Sequence, residues 1–454
     1  MGESGLEAAT LLPGTRAKPS NTQVLVVLIA IALICLTTAV PDMRAWQPLM
    51  MLLIPATAAW TIRRQSLLVA LYLLQVSIYY GLTGLLLGHE RPPELVALVI
   101  LWSAGVTLGG WLVRAKSRDQ RTRMVTRRIW RPATWLQFIL SCLLLGIHAL
   151  LVFTGQLGYQ AQLTLGQSTP TGTLGTLATA TPIIILLFLV NALGSGLWIV
   201  PAVALALGEA IVFSVSGVRG AGVAFFIEVA ILAALVLPVD SPWRRPRRVV
   251  IVGPVLASLV VFIFIAAAGV KNTASSEFRG SVQDSSLSNL DVILTRLDYG
   301  KPLEEAIVNS NNYGVQQAVN WSDQLTAGLP RFLWPEKPVV DYGQKVSVAV
   351  YGLKYGESSS FITIIGDTFV NFGTLGVAVG SVMLGLLLSA LERRVRAGTG
   401  LPTFVLAAAL AYSIMNSEAT LIFFAITLIR TILVSAALWG MAGMIGAKRA
   451  IKQP

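Results

Sequence analysis

The chain has 454 residues, enough for two or three soluble domains, but 55% are hydrophobic, only 12% are charged and the mean hydropathy is +0.71. That balance excludes a soluble fold and places the chain among polytopic membrane proteins. The formal charge is +12, from 34 Lys and Arg against 22 Asp and Glu, which in a soluble protein would suggest nucleic-acid binding.

A segment of about 20 apolar residues crosses a hydrocarbon core of about 30 Å. Charged or Gly/Pro-rich breaks divide the sequence into twelve segments near that size, which predicts an all-α bundle with spans at 23–40, 47–62, 65–87, 95–113, 133–155, 178–193, 197–215, 221–238, 249–270, 372–390, 401–416 and 421–443. On this reading residues 1–22 are a cytoplasmic tail and 23–270 carry nine spans. Residues 271–371 form one large extracytoplasmic loop domain, and 372–454 hold the last three spans and a second cytoplasmic tail. The apolar run of the first span is long and no clear small-x-small cleavage site follows it, so it is expected to be a retained anchor.

The positive charge follows this topology. Eight basic residues fall between Arg114 and Arg131, four between Arg244 and Arg248 and three between Arg393 and Arg396, all in loops on one side together with Arg63, Arg64 and both tails. The short loops on the other side hold only Arg44, Arg91 and Arg219. The bias predicts both termini in the cytoplasm. The long outer stretch 271–367 is net acidic, with eleven carboxylates against eight cations. The excess charge is therefore a topology signal, and no nucleic-acid partner is expected. Cys35 and Cys142 both fall in spans, which leaves no disulfide framework or thiolate metal site.

In chain order, residues 156–177 read as an uncharged Gly/Thr/Ser/Gln linker. Within the outer segment, Leu287, Leu290, Ile293, Leu294 and Leu297 recur at helical spacing and predict an amphipathic helix. Pro302 suits the first turn of a second helix running to about Val319. Pro330, Pro335 and Pro338 then forbid a continuous helix and predict an extended passage. The apolar stretch from Phe361 to Phe372 is interrupted by Gly366, Asp367, Asn371 and Gly373, which predicts a re-entrant segment beside a wet cavity.

The chain has no P-loop, Rossmann fingerprint, HExxH or Gly-x-Ser-x-Gly elbow, and only two histidines. A nucleotide-dependent cytoplasmic chemistry is therefore disfavoured, and neither a metal nor a cofactor is expected. The chemistry-bearing residues on the outer side are cations and carboxylates. Arg219 lies in the tight turn Ser216-Gly-Val-Arg-Gly220, where it either binds an anion or snorkels to lipid phosphates. Arg331, Trp334 and Lys337 lie in the proline-stiffened passage 329–338, which either holds cations ready for an anion or seats the loop on the membrane. Arg279 and Arg296 are further cations, read either as supporting ligands or as solvated charges. Glu357 and Asp367 are candidate general bases, with helix capping or ion pairing as the alternative, and Asn371 follows one turn after Asp367. Inside the bundle, Glu209, Glu228 and Arg430 are expected to pair with one another or to line a wet path.

The order of the Ser-Gly-x-Arg-Gly turn at 216–220, the long outer loop, the Pro-Arg-Phe-Leu-Trp-Pro-x-Lys-Pro passage at 330–338 and Gly366-Asp-x-Phe-x-Asn-Phe-Gly-x-x-Gly376 resembles the Wzy-type O-antigen repeat-unit polymerases. The resemblance covers mainly residues 200–390. It implies a bacterial cytoplasmic-membrane glycosyltransferase that moves a growing glycan from a polyprenyl diphosphate onto the next lipid-linked unit at the outer face, without nucleotide or metal. It also implies partnership with a chain-length regulator and a flippase. The sequence departs from the related ligases, because the long outer loop holds no histidine, and no paired Arg-x10-Gly repeats are present. In such a reaction the leaving group departs as an anion, so Arg219 and Arg331 are expected to neutralise it, with Lys337 or Arg279 in support, while Glu357 or Asp367 takes the acceptor proton. A flippase or transporter for lipid-linked sugars is the alternative from another class.

Overall fold

The computed structural model describes residues 46–63, 65–113, 135–157, 173–195, 197–216, 297–311, 342–354, 362–397 and 401–415, together with isolated positions within 225–235, 294–336 and 420–438. Among the described residues every regular element is a helix. They are α1 (Gln47–Ile62), α2 (Leu67–Val76), a π-helical turn (Ser77–Leu82), α3 (Thr83–Leu87), α4 (Pro93–Leu112), α5 (Trp135–Phe153), α6 (Thr173–Ser195), α7 (Ile199–Val215), α8 (Gly300–Val308), α9 (Tyr342–Tyr351), α10 (Thr363–Ala397) and α11 (Leu401–Met415). Four stretches are long and apolar enough to cross a membrane, namely Leu67–Leu87, Pro93–Leu112, Trp135–Phe153 and Thr363–Arg396. The expected spans 23–40 and 249–270 lie outside the described residues.

The solvent for these helices is apolar, as α5 shows by its inverted amphipathy. Its buried face carries Gln137, Ser141 and His148 beside Leu144 and Leu151, while Ile139, Leu143, Leu150 and Phe153 point outward. Polar groups turned inward and leucines turned outward are stable only where the surroundings are lipid.

The backbone of α4 lies almost against that of α10. A methyl group on Gly109 would collide with the carbonyl oxygen of Val382, and one on Gly385 with that of Val106, while Gly105 faces Ser381. In lipid, where apolar side chains gain nothing by leaving water, close backbone approach through small residues is what holds helices together.

One end of the bundle is fixed by Glu392 near the C-terminus of α10. Its carboxylate accepts the Ser66 hydroxyl at 2.6 Å and the backbone N–H groups of Leu67 and Leu68 at 3.0 and 2.9 Å. Arg396 adds an ion pair at 2.6 Å. An anion from a distant helix thus caps the N-terminus of α2, where orphan N–H groups and the helix dipole favour negative charge. This contact places the basic turn at Arg63 and the basic run Arg393 to Arg396 at the same end of the bundle, as the charge bias predicts.

Two helices differ from expectation. The second outer helix stops at Val308 rather than near Val319, because the Asn309 amide donates back to the Glu305 carbonyl at 2.9 Å and Ser310-Asn-Asn312 follows with turn-forming side chains. The expected tenth span, 372–390, begins where α10 kinks: helical backbone from Thr363 breaks at Gly373, with φ 63 and ψ −163, and a second helical stretch continues to Ala397, the break falling at a residue that adopts this conformation without strain.

Candidate functional site

At the end of the bundle opposite Glu392, residues 298–308 fold down onto the turn between α3 and α4. Arg91, from that turn, is buried to 3% exposure, and its Nη2 donates to Asp298 Oδ1 at 2.5 Å. Glu304 lies 3.7 Å from the other terminal nitrogen and His89 Nδ1 3.3 Å from Asp298 Oδ2. Gly84 and Gly300 border the guanidinium. Asp298 also accepts the Gly300 N–H at 3.0 Å. Beside this clasp the Tyr299 N–H donates to the Tyr79 carbonyl at 3.1 Å and their rings pack at a tilt of 51° with centroids 4.4 Å apart. Sequence reasoning counted Arg91 only as an outer-loop charge. Its setting in His89-Glu-Arg-Pro-Pro93, with acid and base groups beside a helix start, was the available signal.

From there α8 runs along the outer end of α10. Leu303 and Ala306 meet Gly366, and Ala306 joins Val315, Tyr342, Val346, Val350 and Ile362 in a small apolar core. Beneath that core lies Asp367, in the first turns of α10 and fully buried. Its oxygens accept Trp321 Nε1 at 2.9 Å and Gln324 Nε2 at 3.1 Å, and the buried Tyr342 is within electrostatic reach of the same carboxylate. Gln324 in turn accepts the Thr420 hydroxyl at 2.5 Å, which ties in the last helical pair. Trp321 packs edge-on against Phe372 with centroids 4.6 Å apart. Asn371 is half-buried and donates to the Asp367 backbone carbonyl at 2.9 Å.

The expected wet cavity is not seen at Asp367 among the described residues: its side chain is fully buried and accepts hydrogen bonds from Trp321 and Gln324 of the outer segment. Helical backbone also persists through Gly366, Asp367 and Asn371, because the carboxylate is satisfied without unwinding the chain. Arg219, Arg279, Arg296, Arg331, Trp334, Lys337 and Glu357 lie outside the described residues.

In the bundle interior, Glu209 of α7 pairs with His148 of α5, Nδ1 to Oε1 at 2.9 Å; Arg430, the expected cation, lies outside the described residues. Glu228 is buried and within electrostatic reach of Glu209. Among the described residues no group of three His, Cys, Asp or Glu side chains converges to hold a metal ion.

Comparison with protein families gives a match to the O-antigen polysaccharide polymerase Wzy model over residues 17–449. The chain belongs to the O-antigen polymerase Wzy family. Comparison with the curated proteins and with the solved structures gives no significant match. The family assignment makes the chain a membrane-embedded, glycosyltransferase-type polymerase of polysaccharide biosynthesis that acts on lipid-linked oligosaccharide repeat units, and it does not favour the flippase alternative.

Proposed function

We propose that this polymerase transfers the growing glycan from a polyprenyl diphosphate onto the non-reducing end of the next lipid-linked repeat unit, at the outer face of the bacterial cytoplasmic membrane. The family match over nearly the whole chain carries the reading. The docking of residues 298–308 at the bundle end opposite the basic turns supports the sidedness.

In this scheme Arg219 and Arg331 bind the diphosphate, with Arg279, Arg296 and Lys337 in support. Their charge stabilises the leaving group as its negative charge grows, and each charge-assisted hydrogen bond contributes about 1.5 to 3 kcal/mol. Trp334 stacks under a sugar ring, and Asn371 is a further substrate-binding residue. Of the two candidate bases, Asp367 is enclosed by donors, which leaves Glu357 to accept the proton of the attacking hydroxyl. Both termini lie in the cytoplasm, and the chain-length regulator and the flippase act on the same lipid-linked pool.

The test is a reconstituted assay with lipid-linked repeat units and no nucleotide. Wild-type protein gives a ladder of products, while Arg219→Ala and Arg331→Ala, inserted at normal levels, give only unpolymerised units. Long polymer from both variants refutes the assignment of the cations.

A further inference from the structure

Three titratable groups meet in the interior of the bundle, away from the outer segment. His148 of α5, Glu209 of α7 and Glu228 are 4%, 0% and 2% exposed. His148 Nδ1 lies 2.9 Å from Glu209 Oε1, while Glu209 Oε2 and Glu228 Oε2 are buried without a hydrogen-bond partner. Phe213 stands edge-on to the imidazole with centroids 5.4 Å apart and also packs against Phe225 at 6.2 Å. Glu209 precedes Phe213 by one helical turn, and Glu228 follows Phe225 by one. Both carboxylates therefore sit beside the same aromatic contact, on the side away from the connecting residues 217–224. Gly208 lets α5 close in on α7 next to the pair, since a methyl group there would come within 3.0 Å of Leu145 Cδ2.

Two orphan carboxylate oxygens call for a donor. An ionised carboxylate only accepts hydrogen bonds, whereas a protonated one is neutral and donates. A protonated His148 balances one of the two carboxylates, and the other is then a lone charge in a medium that penalises it heavily. Among the described residues the surrounding helices bring no relief: α6, which packs against α5 and α7, carries no titratable side chain, and Cys142 of α5 is exposed. We infer that His148, Glu209 and Glu228 form a proton-binding site inside the bundle, in which the two carboxylates hold one exchangeable proton beside the imidazole. Among the described residues no three such groups converge to hold a metal ion, which leaves the proton as the ligand. Release of that proton sets two negative charges against each other next to Phe213 and Phe225 and loosens α7 from the helical positions around Glu228. The site does not depend on the reaction given under Proposed function.

The experiment uses the full chain in a detergent without ester groups, whose carbonyls would hide the band of interest. Infrared difference spectra of wild type against Glu228→Gln, which keeps the shape and removes the titratable group, report the C=O stretch of a protonated carboxyl. The band is expected in wild type at neutral pH, to shift in D2O, to fade as pH rises, and to be lost in Glu228→Gln. The second readout is the unfolding constant as a function of pH. Over the range in which the folded protein holds the proton and the unfolded chain does not, each pH unit of increase raises the wild-type constant up to tenfold through this one site. Glu228→Gln is expected to remove that part of the slope. A wild-type protein without the band, or a band that survives in Glu228→Gln, overturns the inference. A band that neither shifts in D2O nor responds to pH, or the same pH slope in both proteins, overturns it as well, by showing that no exchangeable proton is held there.

Discussion

Replacing Arg91 by methionine removes the cation from a pair in which both side chains are about 2% exposed. The methionine fills much of the same space, so the loss is mainly electrostatic. Among the described residues, Asp298 is left buried with the Gly300 N–H at 3.0 Å and the half-exposed His89 at 3.3 Å. Breaking a buried ion pair by removing one partner costs about 3 to 5 kcal/mol. Because the Gly300 N–H and His89 remain, the lower end applies, and about 3 kcal/mol is roughly a hundredfold in the population with residues 298–308 undocked. The assay is amide hydrogen exchange at Gly300 and Leu303 in nanodiscs, read beside thermal unfolding. The companion variant Arg91→Met/Asp298→Asn keeps an acceptor for Gly300 but has no charge to strand, and most of the loss is expected to be recovered. Stability equal to wild type in Arg91→Met, or a double variant no better than the single, would refute the argument that the clasp docks the outer segment.

Glu392→Ala removes three hydrogen bonds from the start of α2 and is expected to cost about 2 to 3 kcal/mol, seen as faster amide exchange at Leu67 and Leu68; unchanged exchange there counts against the cap. Gly109→Ala is expected to lose about 1 to 3 kcal/mol through contact with the Val382 carbonyl. Gly146→Ala, in a helix with open space beside it, should gain up to about 1 kcal/mol in the same unfolding experiment. His148→Leu leaves the Glu209 carboxylate without its imidazole and is expected to lower thermal stability, with Glu209→Leu added to it restoring most of the loss. Failure of that rescue would show that Glu209 has another partner.

Hydropathy locates α1, α4, α5 and α11 within a few residues, because a span of lipid imposes both length and composition on a helix. It places the tenth span's start beside the Gly373 kink of α10 but misses the helical turns before it, since Gly366, Asp367 and Asn371 look like interruptions when their partners are unknown. Those partners, Trp321, Gln324 and Tyr342, lie tens of residues away, and nothing local records that they converge. The same limit hides the clasp. Arg91 and Asp298 are separated by 207 residues, and each alone reads as a surface charge. Glu209 was recognisable as a buried carboxylate needing a partner, but His148 on another helix could not be told from a structural histidine. What sequence conveys well is which residues are costly where they stand; which of them relieve one another is settled by packing.

The contact between α4 and α10 has a mechanical consequence. Backbone pressed on backbone at Gly109 and Gly385 leaves little side chain to rearrange between them, so the two helices behave as a single strut. Glu392 fastens α2 to one end of that strut, and the Arg91 clasp with the Asp367 bonds to Trp321 and Gln324 fastens part of the outer segment to the other. Those fastened residues are therefore stationary with respect to the bundle. Successive rounds of elongation are then accommodated by lipid carriers arriving and leaving past a fixed surface, and the lengthening glycan moves while the protein beneath it holds still.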